Sequence, residues 1–413
     1  MADLTGTLLM ADKTPLPQPL FDTLEMINTP LARAVKHSDD YQHAIAFLKS
    51  YKGSQGTFNS YRREIERLLH WSWLIVKKSV KDLRRADIEA YLAFCQSPPP
   101  EWIGTKKAPR FIEKNDERLP NSEWRPFVAT VSKAAHRKGK KPKVKNYELS
   151  STALQDMLAI TSSFYNFLIQ EEYTEINPVL HIRQKSKYIR RKQSKQRIRR
   201  LSELQWSYVI ETAEQMAEKD PAQHPRTLFI MSALYGMYLR ISELTASKRW
   251  TPKMNDFYRD HDGLWWFTTV GKGNKERQIS VSDAMLTSFK KYRKSLGLSA
   301  LPSSSDKTPL LIKQKGKGAI TSTTYLRKIV QRCFDLAILR LQKDGFKEEA
   351  DTLLEATVHW LRHTGISEDV KRRPREHVRD DAGHSSGAIT DKYIDIELRA
   401  RHASAKKKLI KQE

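Results

Sequence analysis

The sequence predicts a mostly α-helical protein of two domains, the second of which also carries one small antiparallel sheet. Apolar residues recur at helical spacing through most of residues 41–180 and again through most of residues 201–413. Between these blocks, residues 181–200 contain ten Lys or Arg and no acidic residue, a composition typical of a linker. Two β-rich runs, LWWFTTV and ERQISV, flank GKGNK in the second block, which predicts a hairpin.

The first block is expected to be a helical domain that follows a loose arm at residues 1–40. Helical spacing starts near Tyr41 and resumes at Leu149 after an interruption at residues 98–148. The interruption holds prolines, two tryptophans and the basic run HRKGKKPKVK, so we expect an irregular basic insertion within the domain at 41–180. The HRKGKKPKVK run either adds DNA contacts or forms a disordered loop, and the sequence supports both interpretations equally.

The second block, residues 201–413, is predicted to be mainly helical. A largely buried helix is predicted over PRTLFIMSALYGMYLRISELTAS, which opens with Pro225, a residue favoured in the first turn. Further helices are predicted after the hairpin, at residues 282–296, 322–343 and 346–356.

The charge of the chain predicts a polyanionic partner. Lys and Arg number 73 against 48 Asp and Glu, a formal net charge of +25. Each phosphate that a cation contacts releases condensed counterions, so DNA or RNA is the expected partner, and a merely basic protein is the alternative. No stretch approaches the roughly 20 apolar residues of a membrane span. We expect action in the cytoplasm of a cell without a DNA-enclosing compartment, or in a nucleus, with Cys95 and Cys333 as buried thiols.

Two segments of the second block place a cation at an unusual position. In LRISEL, Arg240 is predicted inside an apolar helix with Glu243 one turn further on, where the carboxylate can hold a buried guanidinium. That pair is either a structural ion pair or part of a site. Lys272 lies between Gly271 and Gly273 at the hairpin tip, where it can reach a ligand or be an ordinary turn lysine.

Two later segments add histidines and a tyrosine. In VHWLRHTG, His359 and Arg362 are three residues apart and share a helix face, whereas His363 is expected to point elsewhere. In GHSSGAITDKY, Tyr393 follows His384 by nine residues. Each of these residues alone is an ordinary packing or loop residue, so only their combination indicates a site.

The combined set suits metal-free phosphoryl transfer by covalent catalysis. Two guanidiniums can bind the non-bridging oxygens of a phosphodiester and stabilise a pentacoordinate transition state. A phenol can be the nucleophile, although its usual pKa of about 10 requires nearby cations or a histidine to favour the phenolate. A lysine can donate a proton to the leaving 5′-oxygen. The set has no carboxylate cluster for magnesium, and we expect no cofactor.

The same four segments resemble, in order and spacing, the signature boxes of the tyrosine recombinase (phage integrase) family. LRISEL is similar to its first arginine box, GKGNKER to its lysine hairpin, HWLRHT to its H-x-L-R-H box, and GHSS with the later tyrosine to its last box. The resemblance covers residues 200–400 closely and the helical 41–180 region loosely. It implies a SAM-like core-binding domain followed, at 201–413, by a mixed α/β but mainly helical tyrosine-recombinase catalytic domain.

The resemblance implies roles for the matching cations. Arg240 and Arg362 would clamp the scissile phosphate, with Glu243 bracing Arg240. Lys272 would be the general acid, and His359 would assist proton transfer.

The resemblance also implies a nucleophile and an assembly. His384 would hydrogen-bond the phosphate, and Tyr393 would form the 3′-phosphotyrosine. The implied activity is cleavage and rejoining of DNA, for integration or excision of a mobile element and without metal or ATP. The implied partners are double-stranded recombination sites, a homotetramer on paired sites, and accessory DNA-bending or directionality proteins.

Three positions depart from the family's pattern. Tyr238 stands where the family usually has Gly, Ala382 where Leu is common, and Gly365 where an aromatic residue is frequent. None of these changes removes a chemical group, so we expect an active enzyme.

Basic residues outside the boxes are candidates for contacting DNA phosphates. The linker at 181–200 is a solvated connector or, as we favour, a strap that lies on phosphates. The tail after Tyr393 is a frayed helix or a segment that docks on a neighbouring protomer. The candidates for DNA contact are Arg137, Lys138, Lys140, Lys141, Arg190, Arg191, Lys192, Arg199 and Arg200.

Two other functions are alternatives. A type IB topoisomerase-like or hairpin-forming relative would share the chemistry, although the complete last two boxes and the separate helical domain favour a recombinase. A non-catalytic basic DNA-binding protein would be expected to lack an Arg, the Lys or the Tyr, and none is missing.

Overall fold

The computed structural model describes residues 15–23, 25, 38–51, 55–180, 182, 199–248, 250–271, 273–391, 393 and 405–406. The chain divides into two compact units, residues 1–195 and 196–413. Most of the linker predicted at 181–200 lies outside the described residues, and so do Arg190, Arg191 and Lys192. The predicted domain limits therefore stay a prediction.

The N-terminal unit has a helical core. Its helices are α1 (Ser38–Lys49), α2 (Gln55–His70), α3 (Arg85–Gln96), the short α4 (Lys133–Arg137) and α5 (Ser151–Gln170), with a π-helix at Trp71–Val76 directly after α2. Phe47, Leu68 and Phe164 are buried in the apolar core that these helices share. Buried Asp40 accepts hydrogen bonds from Ser79 Oγ at 2.6 Å and Trp73 Nε1 at 2.8 Å. This carboxylate therefore joins α1 to the segment that precedes α3.

Residues 98–148 contain more regular structure than the irregular insertion that the sequence predicts. β1 (Ile103–Gly104) pairs in parallel with β4 (Phe127–Val128), and β2 (Phe111–Lys114) forms an antiparallel hairpin with β3 (Glu117–Pro120). Trp102 and Trp124 are buried. From α2, Arg67 donates two hydrogen bonds to the Pro126 carbonyl, at 2.9 and 2.7 Å. These contacts pack residues 102–128 of the insertion onto the helical core, whereas the two interpretations of the basic run at 136–145 stay predictions.

The C-terminal unit is mainly helical around one small sheet, as predicted. Its helices are α6 (Glu203–Lys219), α7 (Pro225–Gly236), α8 (Asp283–Ser295), α9 (Thr323–Lys343), α10 (Lys347–Leu353), α11 (Val358–Asp369), α12 (Arg375–Ala382) and α13 (Gly387–Asp391). The antiparallel sheet has the order β5 (Phe257–Arg259), β6 (Trp265–Val270) and β7 (Glu276–Ser280). The predicted hairpin is confirmed as β6–β7, and the three helices predicted after it are α8, α9 and α10. Helix α7 packs against α6, α8 and α11.

The buried helix predicted over residues 225–247 ends earlier than expected. Helix α7 stops at Gly236, and Arg240 lies in extended backbone (φ −76°, ψ 144°) as the N-cap of a 3-10 turn at Ile241–Glu243. The prediction that Arg240 lies inside an apolar helix is therefore wrong. Tyr238 has a φ of 49°, in the left-handed region that a right-handed helix cannot contain. The apolar pattern continues across this break because the loop is also buried, so spacing alone could not reveal it.

The buried thiols expected from composition are present. Cys95 and Cys333 are buried free thiols, and burial raises the pKa of each to about 12. No described helix is both long enough and apolar enough to cross a membrane.

Candidate active site

Five of the six residues predicted to be catalytic are described, and the structure brings them together in the C-terminal unit. They are Arg240 before the 3-10 turn, His359 and Arg362 on α11, His384 after α12, and Tyr393 after α13. The rings of His384 and Tyr393 stack with their centroids 5.6 Å apart. The charges of Arg240 and Tyr393 both change the pKa of Arg362, which requires them to lie near it.

Glu243 is a buried carboxylate shared by two arginines. It accepts hydrogen bonds from the Arg240 main-chain N–H at 2.7 Å and from Arg240 Nη1 at 3.0 Å. It also accepts from Arg277 Nη1 at 2.7 Å and Nη2 at 2.9 Å. Burial raises the pKa of Glu243, but hydrogen bonds and charge from Arg277, and then from Arg240, outweigh burial and lower it. Arg240 uses one guanidinium nitrogen to bind this carboxylate, so its remaining N–H groups can donate to an anion.

Arg362 is a buried guanidinium held by main-chain carbonyls. It is 3% exposed and donates to the carbonyl of Tyr238 and, at 2.7 Å, to that of Ala382. It forms no ion pair with a carboxylate of the described residues. Burial, followed by the charges of Arg240 and Arg277, lowers its pKa to about 10, so it stays charged at neutral pH. The negative charge of Glu243 acts on Arg362 without forming an ion pair with it, and a buried guanidinium whose charge is not directly paired suits the binding of an anion.

The histidines beside these arginines are neutral near pH 7. Burial, followed by the charges of Arg362 and Arg240, lowers the pKa of His359. Burial, followed by the charges of His359 and Arg362, lowers the pKa of His363 to about 4. Burial and nearby arginines likewise lower the pKa of His384 to about 4. A bound anion would offset the positive charge and raise all three values.

The hydroxyl of Tyr393 is hydrogen-bonded to the last histidine of the H-x-L-R-H box, a residue to which the sequence analysis gave no role. Tyr393 Oη lies 2.6 Å from His363 Nδ1, so the prediction that His363 points elsewhere is wrong. His359 and His363 are four residues apart on α11, and their rings meet at 4.3 Å. That spacing places both on one helix face, and it was a signal available in the sequence. Burial raises the pKa of Tyr393, although the charges of Arg362 and Arg240 oppose this.

The hairpin end that precedes Lys272 borders this site. A Cβ added at Gly271 would lie 3.0 Å from Arg277 Nη1 and 3.2 Å from Glu243 Oε1. The main chain therefore passes close to the shared carboxylate, where a side chain would crowd it. Lys272 itself lies outside the described residues, and its role stays a prediction.

Two departures from the family's pattern compensate each other in space. A Cβ on Gly365 would overlap the carbonyl oxygen of Tyr235 and lie 3.2 Å from Cδ1 of Tyr238. The Tyr238 ring is fully buried, its hydroxyl is hydrogen-bonded to Asp369, and it accepts from Arg373 Nη1 at 3.0 Å. A large ring at 238 therefore fits because position 365 has no side chain. At Ala382 the main-chain carbonyl is what binds Arg362, and any residue provides that group.

The described candidates for DNA contact are mostly exposed. In the insertion, Arg137 ends α4 and Lys138, Lys140 and Lys141 follow it, all of them exposed. At the start of the C-terminal unit, Arg199 is exposed and Arg200 is half-buried. Their contact with DNA stays a prediction.

Together, the fold and the site define a mainly helical protein whose C-terminal unit gathers arginines, neutral imidazoles and a phenol in one place. No family model matches the chain. Tyrosine recombinase XerD of Rickettsia bellii is 30% identical over 145 residues, which are 35% of this chain and 44% of that protein. Tyrosine recombinase XerC of Alcanivorax borkumensis is 25% identical over 276 residues, which are 66% of this chain and 75% of that protein. The chain thus spans less than half of the XerD relative.

A solved structure extends the comparison to the fold of nearly the whole chain. The crystal structure of the XerH site-specific recombinase bound to palindromic difH substrate, a post-cleavage complex, matches with a TM-score of 0.55 and 16% identity. The match covers 90% of this chain and 89% of that chain, and it shows that the fold is the same. In sequence, the chain is similar to tyrosine recombinases of the XerC and XerD type.

Proposed function

We propose that the chain is a site-specific DNA recombinase that cleaves and rejoins strands through a 3′-phosphotyrosyl intermediate on Tyr393. The observation that carries this proposal is Arg362, a buried charged guanidinium that forms no ion pair with a carboxylate of the described residues. A phosphodiester is the anion that suits both residues, because the guanidinium binds its non-bridging oxygens and the phenol attacks its phosphorus. The net charge of +25 supports DNA as the partner.

The proposed reaction conserves the energy of the phosphodiester. Tyr393 Oη forms a bond to the phosphorus while the bond from phosphorus to the 5′-oxygen breaks. The phenolic proton leaves to a base, and the 5′-oxygen receives a proton from Lys272. Arg240, braced by Glu243, and Arg362 stabilise the charge that develops on the non-bridging oxygens. Rejoining is the reverse attack by a 5′-hydroxyl, and it needs no ATP.

Two of the histidines have proposed parts in this reaction. His384 would hydrogen-bond the phosphate, and His359 would assist proton transfer; each neutral imidazole has one donor and one acceptor nitrogen for these tasks. The described residues contain no group of three His, Cys, Asp or Glu side chains arranged to hold a metal ion. We expect cleavage to continue in excess EDTA, and its loss would support a metal-dependent nuclease.

The proposal extends to partners and to the biological outcome. The partners are paired double-stranded recombination sites, a homotetramer formed across them, and accessory DNA-bending or directionality proteins. The outcome is integration or excision of a mobile element, in the cytoplasm of a cell whose DNA is not enclosed. The basic residues of the insertion and linker contact phosphates along the duplex.

A pool of nicked duplexes with a randomised centre tests the chemistry on many target sequences at once. The nick lets the cleaved fragment diffuse away, so the protein–DNA adduct accumulates. We expect DNA to stay attached to the protein after denaturation, and sequencing this DNA gives a captured site. Tyr393→Phe should lose the adduct and keep DNA binding, whereas the control Tyr258→Phe, on β5, should keep both. An adduct that persists in Tyr393→Phe would identify another nucleophile.

The same captured site separates the alternatives. A wild-type protein that binds the pool but forms no adduct supports a non-catalytic DNA-binding protein. Exchange between two captured sites on one supercoiled plasmid supports a recombinase, and relaxation of the plasmid alone supports a type IB topoisomerase-like relative.

A further inference from the structure

The nucleophile and the histidine expected to assist it are not hydrogen-bonded partners in the structure. Among the described residues, the hydrogen-bond partner of Tyr393 Oη is His363 Nδ1, at 2.6 Å. His359 lies one turn earlier on α11, with its ring against that of His363. The atom in position to receive the phenolic proton is therefore on His363.

We propose that His363 is a catalytic residue whose Nδ1 accepts the phenolic proton of Tyr393 as the phenol attacks the phosphorus. This proposal rests on the proposed function. The proton moves from Oη to Nδ1 while the new oxygen–phosphorus bond forms, and the leaving 5′-oxygen takes a separate proton from Lys272. The observed 2.6 Å is a distance for direct transfer without an intervening water.

The surroundings of His363 couple proton acceptance to the arrival of DNA. The charged or titratable groups that face it are His359 and Arg362 on its own helix, and His384 and Tyr393 from the segments after α12 and α13. Burial and the positive charge of Arg362 keep the imidazole neutral at pH 7, so one of its ring nitrogens can accept a proton. A phosphate bound at Arg362 adds negative charge, which makes the imidazole a stronger base. The same phosphate disfavours a free phenolate on Tyr393. Transfer of the phenolic proton during the attack is therefore easier than ionisation of the phenol before it.

Nitrogen-15-labelled histidine tests the geometry in the free full-length protein. We expect the Nδ1 resonance of His363, assigned by its loss in His363→Asn, to be that of an unprotonated nitrogen at pH 7 and to shift in Tyr393→Phe. If Nδ1 carries the proton at pH 7, the phenol is the acceptor and the proposal is overturned.

Single-turnover cleavage of the captured nicked site tests the chemistry. His363→Asn puts an amide oxygen near the position of Nδ1, where it can accept a hydrogen bond but not a proton. We expect His363→Asn and His363→Ala to bind DNA and to cleave at least about 10²-fold more slowly. Added imidazole should restore His363→Ala and leave Tyr393→Phe inactive. The control His261→Asn, whose side chain is 91% exposed in the β5–β6 turn, should cleave at the wild-type rate.

The pH dependence separates a base from a structural support. Wild-type cleavage should fall as the pH falls through the pKa of His363 in the complex, and His363→Asn should lack that limb. The proposal would be overturned if His363→Asn cleaved at the wild-type rate. It would also be overturned if His363→Asn kept the wild-type pH profile and imidazole did not restore His363→Ala. If the wild type forms no adduct with any duplex of the pool, the proposed function itself fails, which is a different result.

Discussion

Arg277 binds Glu243 with two hydrogen bonds, at 2.7 and 2.9 Å, and this is the carboxylate that also holds Arg240. The Arg277 side chain is 10% exposed and that of Glu243 is 2% exposed. Arg277 Nε also donates to the Asp381 carbonyl at 3.1 Å, so β7, the 3-10 turn and α12 meet at this side chain. One carboxylate balances two arginines, which leaves the site with positive charge for a phosphate.

Arg277→Ala is expected to reduce both stability and cleavage. Removing one partner of a buried ion pair costs about 3 kcal/mol of unfolding free energy, and Glu243 would then draw Arg240 towards itself. Urea denaturation measures the first effect, and cleavage of the captured site at saturating protein measures the second. Arg277→Lys should be intermediate, because lysine keeps the charge but not the paired geometry. Equal cleavage by Arg277→Ala and by the control Arg259→Ala, an exposed arginine on β5, would contradict this role.

Gly365→Ala is expected to lower the melting temperature. The new Cβ would overlap the main-chain carbonyl of Tyr235, so α11 must move away from α7, at a cost of about 1–3 kcal/mol for overpacking. Gly236→Ala is the matched control, because a Cβ there meets nothing within 4 Å. Thermal denaturation of the two variants gives the comparison. If they are equally stable, α11 and α7 are not in the close contact described.

Tyr238→Gly is expected to destabilise the protein although it relieves a left-handed backbone. Relief of that conformation is worth about 1–2 kcal/mol, whereas loss of a buried aromatic ring costs about 3–5 kcal/mol. The loss of the ring is larger, so the net effect is unfavourable. Tyr238→Phe should cost only about 1 kcal/mol, through the lost hydrogen bond to Asp369. Urea denaturation of both variants measures these changes. If Tyr238→Gly were more stable than the wild type, relief of the backbone would outweigh loss of the ring.

The stability of the free protein is expected to fall between about pH 6.5 and pH 4. Burial and nearby arginines lower the pKa of His363 and of His384 to about 4, below that of a histidine in the unfolded chain. The unfolded chain therefore binds more protons in this window, so stability is full above it and is lost as the pH falls. Urea midpoints at pH 7 and pH 5 should differ less in the double variant His363→Asn, His384→Asn than in His261→Asn. If the two midpoints differ by the same amount in both proteins, neither histidine has a lowered pKa in the folded state.

Lys140→Ala combined with Lys141→Ala is expected to weaken the binding of DNA duplexes of any sequence to a similar degree. Each lost phosphate contact reduces the slope of log affinity against log salt by about 0.9. Fluorescence anisotropy with one duplex over a range of salt measures the slope. The matched control removes two exposed lysines of α8, Lys291 and Lys294. If both pairs change the slope equally, the insertion contributes only general charge.

Features set by local pattern could be predicted from the sequence. The hairpin followed from two β-rich runs around a Gly-containing turn, and α9 followed from apolar spacing that the structure bounds at Thr323–Lys343. The early end of α7 could not be predicted in this way, because the left-handed residue Tyr238 is as buried as the helix before it. The strands of residues 98–148 were missed because they are two to four residues long, too short for an alternating pattern to register.

The sequence by itself determined which chemical groups this protein carries and in what order. Arg240, Arg362 and Tyr393 could be named from short motifs, because a motif is a property of neighbouring residues. Only the tertiary structure decided which groups touch. His363 and Tyr393 are 30 residues apart and Arg277 and Glu243 are 34 apart, and each pair meets through the packing of separate elements. Contacts of that kind depend on how helices and strands bury their shared core, and no local pattern encodes the partner.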